Sequence, residues 1–305
     1  SLMPGFLNTA QGLISDGLGG RLAFGPTGQI GYCVFNGRLS TNYGTSADSA
    51  MMPIVYKSID SGATWSICPA SMGYDWANRH PELLKNVGAL LATPAKHVTP
   101  NYQHGIDLAV DANGVLHYVT TLTMPYKDGN YAGGGFDSLQ YTYEYQWDYI
   151  NNHPIIWDLM TDGTCWSTLM VDSVLTSFMG SGDTTTTLNP WENGTGVLPY
   201  GAHLTVSRSS DGNIIFYGWG DSDPNVTGTP LNTQPDIIMR AFDVVSKQTS
   251  STENVTNGIA TCYFPYLSDV SYFDNGSGKW VVPFVYTIGR VSGIKPGSYD
   301  ATGPV

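Results

Sequence analysis

The chain has 305 residues, and 13 Lys plus Arg against 25 Asp plus Glu leave a formal net charge of −12 and a pI near 4.6. That argues against a nucleic-acid binder, which needs a basic face to neutralise phosphates. Only 12% of residues are charged while 41% are hydrophobic and 36 are Gly, a composition that supports a large core but excludes a helical bundle or coiled coil, because long helices draw on Glu, Lys and Arg.

The recurring unit is a pair of apolar, β-rich runs joined by a Gly-containing turn, the sequence form of a hairpin. Arg21 to Phe35 turns at Gly25-Pro26-Thr27-Gly28, and Ile54 to Cys68 forms a second extended pair. Pro81-Glu82-Leu83-Leu84-Lys85 carries the best helix signal, with Pro where a first turn tolerates it. Ile106 to Leu122 turns at Asp111-Ala112-Asn113-Gly114 and is followed by the pair Ile155 to Val171. Leu204 to Trp219 turns at Ser209-Ser210-Asp211-Gly212-Asn213 and is followed by Ile237 onward through Asp243-Val244-Val245-Ser246-Lys247. Val270 to Tyr286 turns at Asp274-Asn275-Gly276-Ser277-Gly278.

Hairpin, connection, hairpin makes four antiparallel strands, and such sheets repeated around an axis make a β-propeller. The expected fold is therefore all-β, with units over about 15–75, 102–175, 200–255 and 265–305 whose starts are too unevenly spaced for a rigid repeat. The last unit stops at its first hairpin, which leaves roughly three and a half blades of the four or more that a ring needs. The chain is therefore expected to be an incomplete propeller and part of a longer protein. Ser1-Leu2-Met3-Pro4 shows neither an initiator Met nor a leader, so any signal peptide is expected to have been removed. No apolar stretch approaches the roughly 18 residues of a transmembrane helix; even Trp280 to Tyr286 is short and contains Pro283.

Only Glu82, Glu144, Glu192 and Glu253 are Glu, so the acidity is mostly Asp, the acid that bonds its own backbone in turns. Cys33, Cys68, Cys165 and Cys262 form no C-x-x-C pair and read as small hydrophobes, with a Cys33–Cys68 bridge open if their strands are neighbours. Asp221, Asp223 and Asn225 place oxygens at alternate positions as calcium loops do, without the later Gly and Glu of such a loop, and an Asx-rich turn explains them as well. Calcium is accordingly the one cofactor considered. Tyr141, Tyr143, Tyr145, Trp147 and Tyr149 alternate with polar residues, so an extended segment there would carry one aromatic face, suited to stacking on sugar rings or packing between blades. His104 and Asp107 precede one inner hairpin, His203 a second and Asp269 a third, which would set them near one end of the central channel, where propellers bind ligands. Of His97, His104 and His117, no pair has metal-ligand spacing.

The run Ser58-Ile59-Asp60-Ser61-Gly62-Ala63-Thr64-Trp65 fits S-x-D-x-G-x-T-W at every fixed position and resembles the Asp-box of sialidase-type propellers. Asp60 would accept backbone N–H groups, Gly62 would supply a positive φ and Trp65 would pack on the turn; Ser58 and Thr64 complete the motif. Thr161-Asp162-Gly163-Thr164-Cys165-Trp166 is a reduced version at the matching turn of the second unit. In that family the box is a fold device remote from catalysis. Activity there would require an arginine triad, a Tyr/Glu pair and an Asp acid; Tyr143-Glu144 could be cast as the pair, but the N-terminal Arg-Ile-Pro signature is missing. A second resemblance, carried by Leu204 to Gly212, Gly218-Trp219-Gly220-Asp221-Ser222-Asp223 and Pro235-Asp236-Ile237, is to large secreted propellers of Bacteroidetes, many of them type IX secretion cargo.

These resemblances imply a secreted or cell-surface bacterial protein that meets secretion machinery during export. The function expected first is noncatalytic binding of a glycan or protein partner, with no nucleic acid and no membrane span. A sialidase-like glycoside hydrolase or lyase acting on surface polysaccharide, and a structural component of an extracellular assembly, are the alternatives.

Overall fold

The computed structural model describes residues 13–15, 20–39, 52–69, 99–101, 105–125, 145–146, 155–176, 202–228, 232, 234–257 and 261–289. The first sheet contains β1 (Leu13–Ser15), β2 (Arg21–Phe24), β3 (Gly31–Leu39), β4 (Met52–Ser58) and β5 (Ser66–Ile67). β1 and β2 share one edge of β3, and β4 and β5 follow on the other. The second contains β6 (Thr99–Asn101), β7 (Asp107–Val110), β8 (Leu116–Pro125), β9 (Tyr145–Gln146), β10 (Ile155–Thr161) and β11 (Trp166–Ser173), built on the antiparallel order β7-β8-β10-β11.

The third contains β12 (Thr205–Ser209), β13 (Ile214–Asp221), β14 (Asp236–Asp243), β15 (Gln248–Thr249) and β16 (Glu253–Asn254), with one helical turn, α1 (Pro224–Thr227), between β13 and β14. β17 (Thr261–Leu267), β18 (Val270–Asp274), β19 (Lys279–Val281) and β20 (Phe284–Gly289) complete the described strands. Their pairings, Thr261↔Gly289 through Asp274↔Lys279, make one long bent hairpin that starts earlier than the sequence predicts.

Three antiparallel sheets, each built on a four-stranded run (β2-β3-β4-β5, β7-β8-β10-β11 and β12-β13-β14-β15), and a final hairpin form an open arc of β-propeller blades and bear out the fold expectation. The first strands of successive blades lie side by side: β2 packs on β7, β7 on β12, and β12 pairs in parallel with β18. All predicted hairpin turns that fall on described residues form where expected, whereas the helix signal at Pro81–Lys85 lies outside the described residues. Cys33, Cys68 and Cys262 are buried thiols and Cys165 is an exposed one, so the Cys33–Cys68 pair is not bridged.

The main core lies between the second and third sheets, where Val119, Ile156, Val171, Leu204, Val206, Ile215, Tyr217, Trp219 and Phe242 are buried together. β13 is buried along nearly its whole length on both faces, which explains its near-continuous apolar sequence. Gly218 within it admits the β17 strand: a Cβ there would stand 3.2 Å from Leu267.

At one end of the axis the inner hairpin turns meet. Ala112 N–H donates to the Gly212 carbonyl at 2.9 Å, the Tyr32 hydroxyl donates to the Gly114 carbonyl at 2.9 Å, and Arg208 Nε donates to the Phe24 carbonyl at 3.3 Å. Gly212 has φ +76°, and a Cβ on it would fall 2.5 Å from Pro26 Cγ and 2.6 Å from the Ala112 nitrogen. Gly212→Val is expected to lower stability by about 2 kcal/mol or more, since it combines a left-handed backbone with backbone overlap. Urea unfolding followed by tryptophan fluorescence measures it.

The second and third sheets are also joined by buried polar groups. Asp158 Oδ2 on β10 receives the Tyr217 hydroxyl from β13 at 2.7 Å and stands 2.6 Å from His117 Nδ1 on β8. The other ring nitrogen of His117 lies 3.6 Å from Asp111 Oδ2. Burial works against charge on His117, but the Asp158 and Asp111 carboxylates outweigh it and push its pKa up to about 9. An unfolded imidazole titrates near 6.5, so stability from this clamp is complete below that pH and is lost as pH rises through about 9. The melting temperature is expected to fall between pH 7 and pH 9.5, and His117→Gln to start lower and stay flatter over the same range in differential scanning calorimetry.

Candidate functional site

At the opposite end of β12 from the meeting turns, Asp107 opens β7 with one carboxylate oxygen turned to a neighbouring blade. Its Oδ2 accepts from the Val206 N–H at 2.9 Å and the Thr205 hydroxyl at 3.2 Å, and its Oδ1 accepts from the Leu108 N–H at 3.0 Å. Burial raises its pKa, opposed by these donors and by the Arg21 charge. Thr205 Oγ1 in turn accepts from the Leu267 N–H at 3.1 Å, so a single relay joins β7, β12 and β17.

That relay brings β17 beside His203. His203 sits at φ +50°, half-buried, just before β12. Its ring meets Phe264 edge-on at 5.2 Å and Tyr266 at 4.8 Å, with interplanar angles of 74° and 76°. The Tyr266 hydroxyl is 3.3 Å from Nε2. Burial, and to a lesser degree the Arg21 charge, lower the His203 pKa, with backbone groups of Pro265 and His203 opposing, which favours the neutral imidazole.

A bulge presents the two aromatic residues. Tyr263 pairs with Thr287 and Tyr266 with Val285, so two residues of β17 stand against one of β20. Phe264 takes φ +51°, and Phe264 and Tyr266 stay 43% and 52% exposed. Pro265, which lacks an N–H for the ladder, sits at the bulge. Non-glycine residues at positive φ on both sides of this cluster are backbone strain of the kind that gathers at binding sites.

Of the residues expected at the channel mouth, Asp107 and His203 come to the same end, with Arg21 acting on both. His104 lies outside the described residues. Asp269 lies toward the other end of β12: its carbonyl accepts from the Arg208 N–H at 3.2 Å, and its charge supports the desolvated Arg208 guanidinium. Of the aromatic run, Tyr143 and Trp147 lie outside the described residues, and Tyr145 lies on β9, paired with Pro125 at the end of β8. Phe264, Tyr266 and Arg21 were not among the expected ligands; Pro265 inside a β-rich run is the signal that could have pointed to the bulge.

The Ser58–Trp65 turn joins β4 to β5 and is closed by its own side chains. Asp60 accepts from the Thr64 N–H at 2.9 Å and the Thr64 hydroxyl at 2.6 Å, and the Ser58 hydroxyl donates to Asp60 at 2.8 Å. Gly62 N–H donates to Ser58 Oγ at 2.8 Å with φ +87°, and Trp65 Nε1 donates back to the Gly62 carbonyl at 3.0 Å. The Thr64 and Ser58 donors hold the Asp60 pKa down to about 2. Its counterpart joins β10 to β11, where Gly163 N–H donates to Thr161 Oγ1 at 3.0 Å and Thr164 N–H to Asp162 at 2.9 Å.

Asp221, Asp223 and Asn225 serve separate ends. Asp221 is buried and accepts from the Thr176 hydroxyl at 2.6 Å and from the Leu175 N–H at 2.5 Å; burial pushes its pKa up to about 6. Asp223 caps α1 by accepting from the Asn225 N–H at 2.8 Å. Among the described residues, no cluster of three or more His, Cys, Asp or Glu side chains is arranged to hold a metal ion.

No known family profile matches the sequence, and no curated protein matches it. Among solved structures, the chain is similar to the GH74 enzyme of Niastella koreensis, at 12% identity and a TM-score of 0.25 over 84% of this chain and 32% of that one. It is also similar to an ancestral GH74 enzyme, at 9% identity and a TM-score of 0.21 over 85% of this chain and 37% of that one. The chain thus spans about a third of the length of the structures it matches. Likeness at this distance assigns no chemistry.

Asp107→Ala strips the Val206 N–H of its acceptor at a blade junction. Leaving such a donor unpaired costs about 1–3 kcal/mol, and a loss in that range is expected in chemical denaturation.

Proposed function

We propose that the chain is a noncatalytic binding propeller of the cell surface or extracellular medium, and that it takes a carbohydrate at the His203 cluster. The observation that carries this is the pair of half-exposed aromatic side chains, Phe264 and Tyr266, set by a strained bulge against the His203 imidazole. Aromatic rings offer large apolar area at low conformational cost, and a hydroxyl beside an imidazole nitrogen offers the polar bonds that fix a sugar's orientation.

Binding is favoured over hydrolysis by the state of Asp107. Both of its oxygens are held by protein donors, so the carboxylate beside the cluster is a blade staple and not a poised acid or nucleophile. The surface or secreted setting is supported by the resemblance of Leu204 to Gly212 and Gly218 to Asp223 to secreted propellers, and the Asp-box reading by the bonding of the Asp60 turn.

A glycan array probed with the full chain is expected to give discrete binders without turnover. Tyr266→Ala should weaken that binding with little change in melting temperature, since the side chain is half-exposed. An array without binders, or binding indifferent to Tyr266→Ala, contradicts the reading.

A further inference from the structure

We infer that the ligand class of the His203 cluster is an uncharged pyranoside and not an acidic sugar, an inference that rests on the carbohydrate reading above.

Three features of the cluster point the same way. Both Asp107 oxygens are already taken up by the Leu108 and Val206 N–H groups and the Thr205 hydroxyl, so this carboxyl presents no free charge to a ligand. His203 adds none: its half-buried ring lies against Phe264 and Tyr266, surroundings that favour the neutral imidazole. The chain as a whole carries −12, which repels polyanions before contact.

The hydrogen-bonding chemistry discriminates further. Nε2 meets the Tyr266 hydroxyl at 3.3 Å, long for a bond to a hydroxyl and therefore easily exchanged. A sugar hydroxyl both donates and accepts, so it can enter between Nε2 and the tyrosine whichever ring nitrogen holds the proton. A carboxylate only accepts and would be left facing a lone pair in one of the two tautomers. The exposed Tyr266 and Phe264 supply apolar contact for the C–H face of a pyranose, a contribution that does not depend on ligand charge.

The test is calorimetric titration of the full chain at neutral pH with two neutral polysaccharides, galactomannan and dextran, and two anionic ones, polygalacturonate and alginate, each in low and high salt. The expected result is binding of a neutral polysaccharide with an affinity that moves less than about twofold with salt. Tyr266→Ala should weaken it by about tenfold, the factor that about 1.4 kcal/mol of lost stacking produces. Arg21→Gln should change it little. Preferential binding of polygalacturonate or alginate, weakened by salt and by Arg21→Gln, overturns the inference while leaving a carbohydrate site in place. Absence of binding to all four, together with an empty glycan array, removes the carbohydrate reading and this inference with it.

Discussion

Each inner strand of this arc has to satisfy two blades at once, and at β12 that demand is met by a carboxylate. Asp107 reaches from β7 to the Val206 N–H and the Thr205 hydroxyl, and Thr205 passes the connection to Leu267 on β17. A strand between two neighbours has backbone donors that its own sheet cannot use, and buried donors require acceptors. Because the acceptor is a side chain, blade spacing is fixed at this point by bonding as well as by apolar packing. The position of the aromatic bulge beside His203 follows from that spacing.

The same logic, with charge added, governs a second point of the junction between the second and third sheets. His117 between Asp111 and Asp158, with Tyr217 closing from β13, places ionisable groups where a hydrophobic contact would pack as well. A clamp of this type accepts a partner only when the strand register is correct, since one residue of slip turns every side chain to the opposite face. It therefore discriminates among ways of stacking two apolar sheets that burial alone leaves nearly equivalent. Arg240 works similarly at the outer edge, where it bonds the Val171 and Ser250 carbonyls.

What the sequence shows and what it hides divide along contact range. The hairpin turns at Gly25, Asp111, Asp211 and Asp274, and the Asp60 turn, are legible because the bonds that make them lie within a few residues. The all-β fold is legible by the same token. Asp107 reads as a mouth residue because it precedes a hairpin, but its bonding to β12 depends on which strands become neighbours. His117 reads as one more isolated histidine, because Asp158 enters only through the β8–β10 register. The Phe264–Tyr266 bulge depends on the hairpin beginning at Thr261, and Asp269 stands beside Arg208 because β18 is staggered against β12.

The turns carry one more consequence. At Asp60, Asp111, Asp211, Asp243 and Asp274, a carboxylate accepts one or more backbone N–H groups of its own loop. Proteases cut chain that can be drawn out into an extended conformation, and loop tips are ordinarily where they find it. Here the tips are cross-braced from within, so opening one means breaking several bonds together. At these five turns a degrading enzyme meets short, closed corners in place of slack loops.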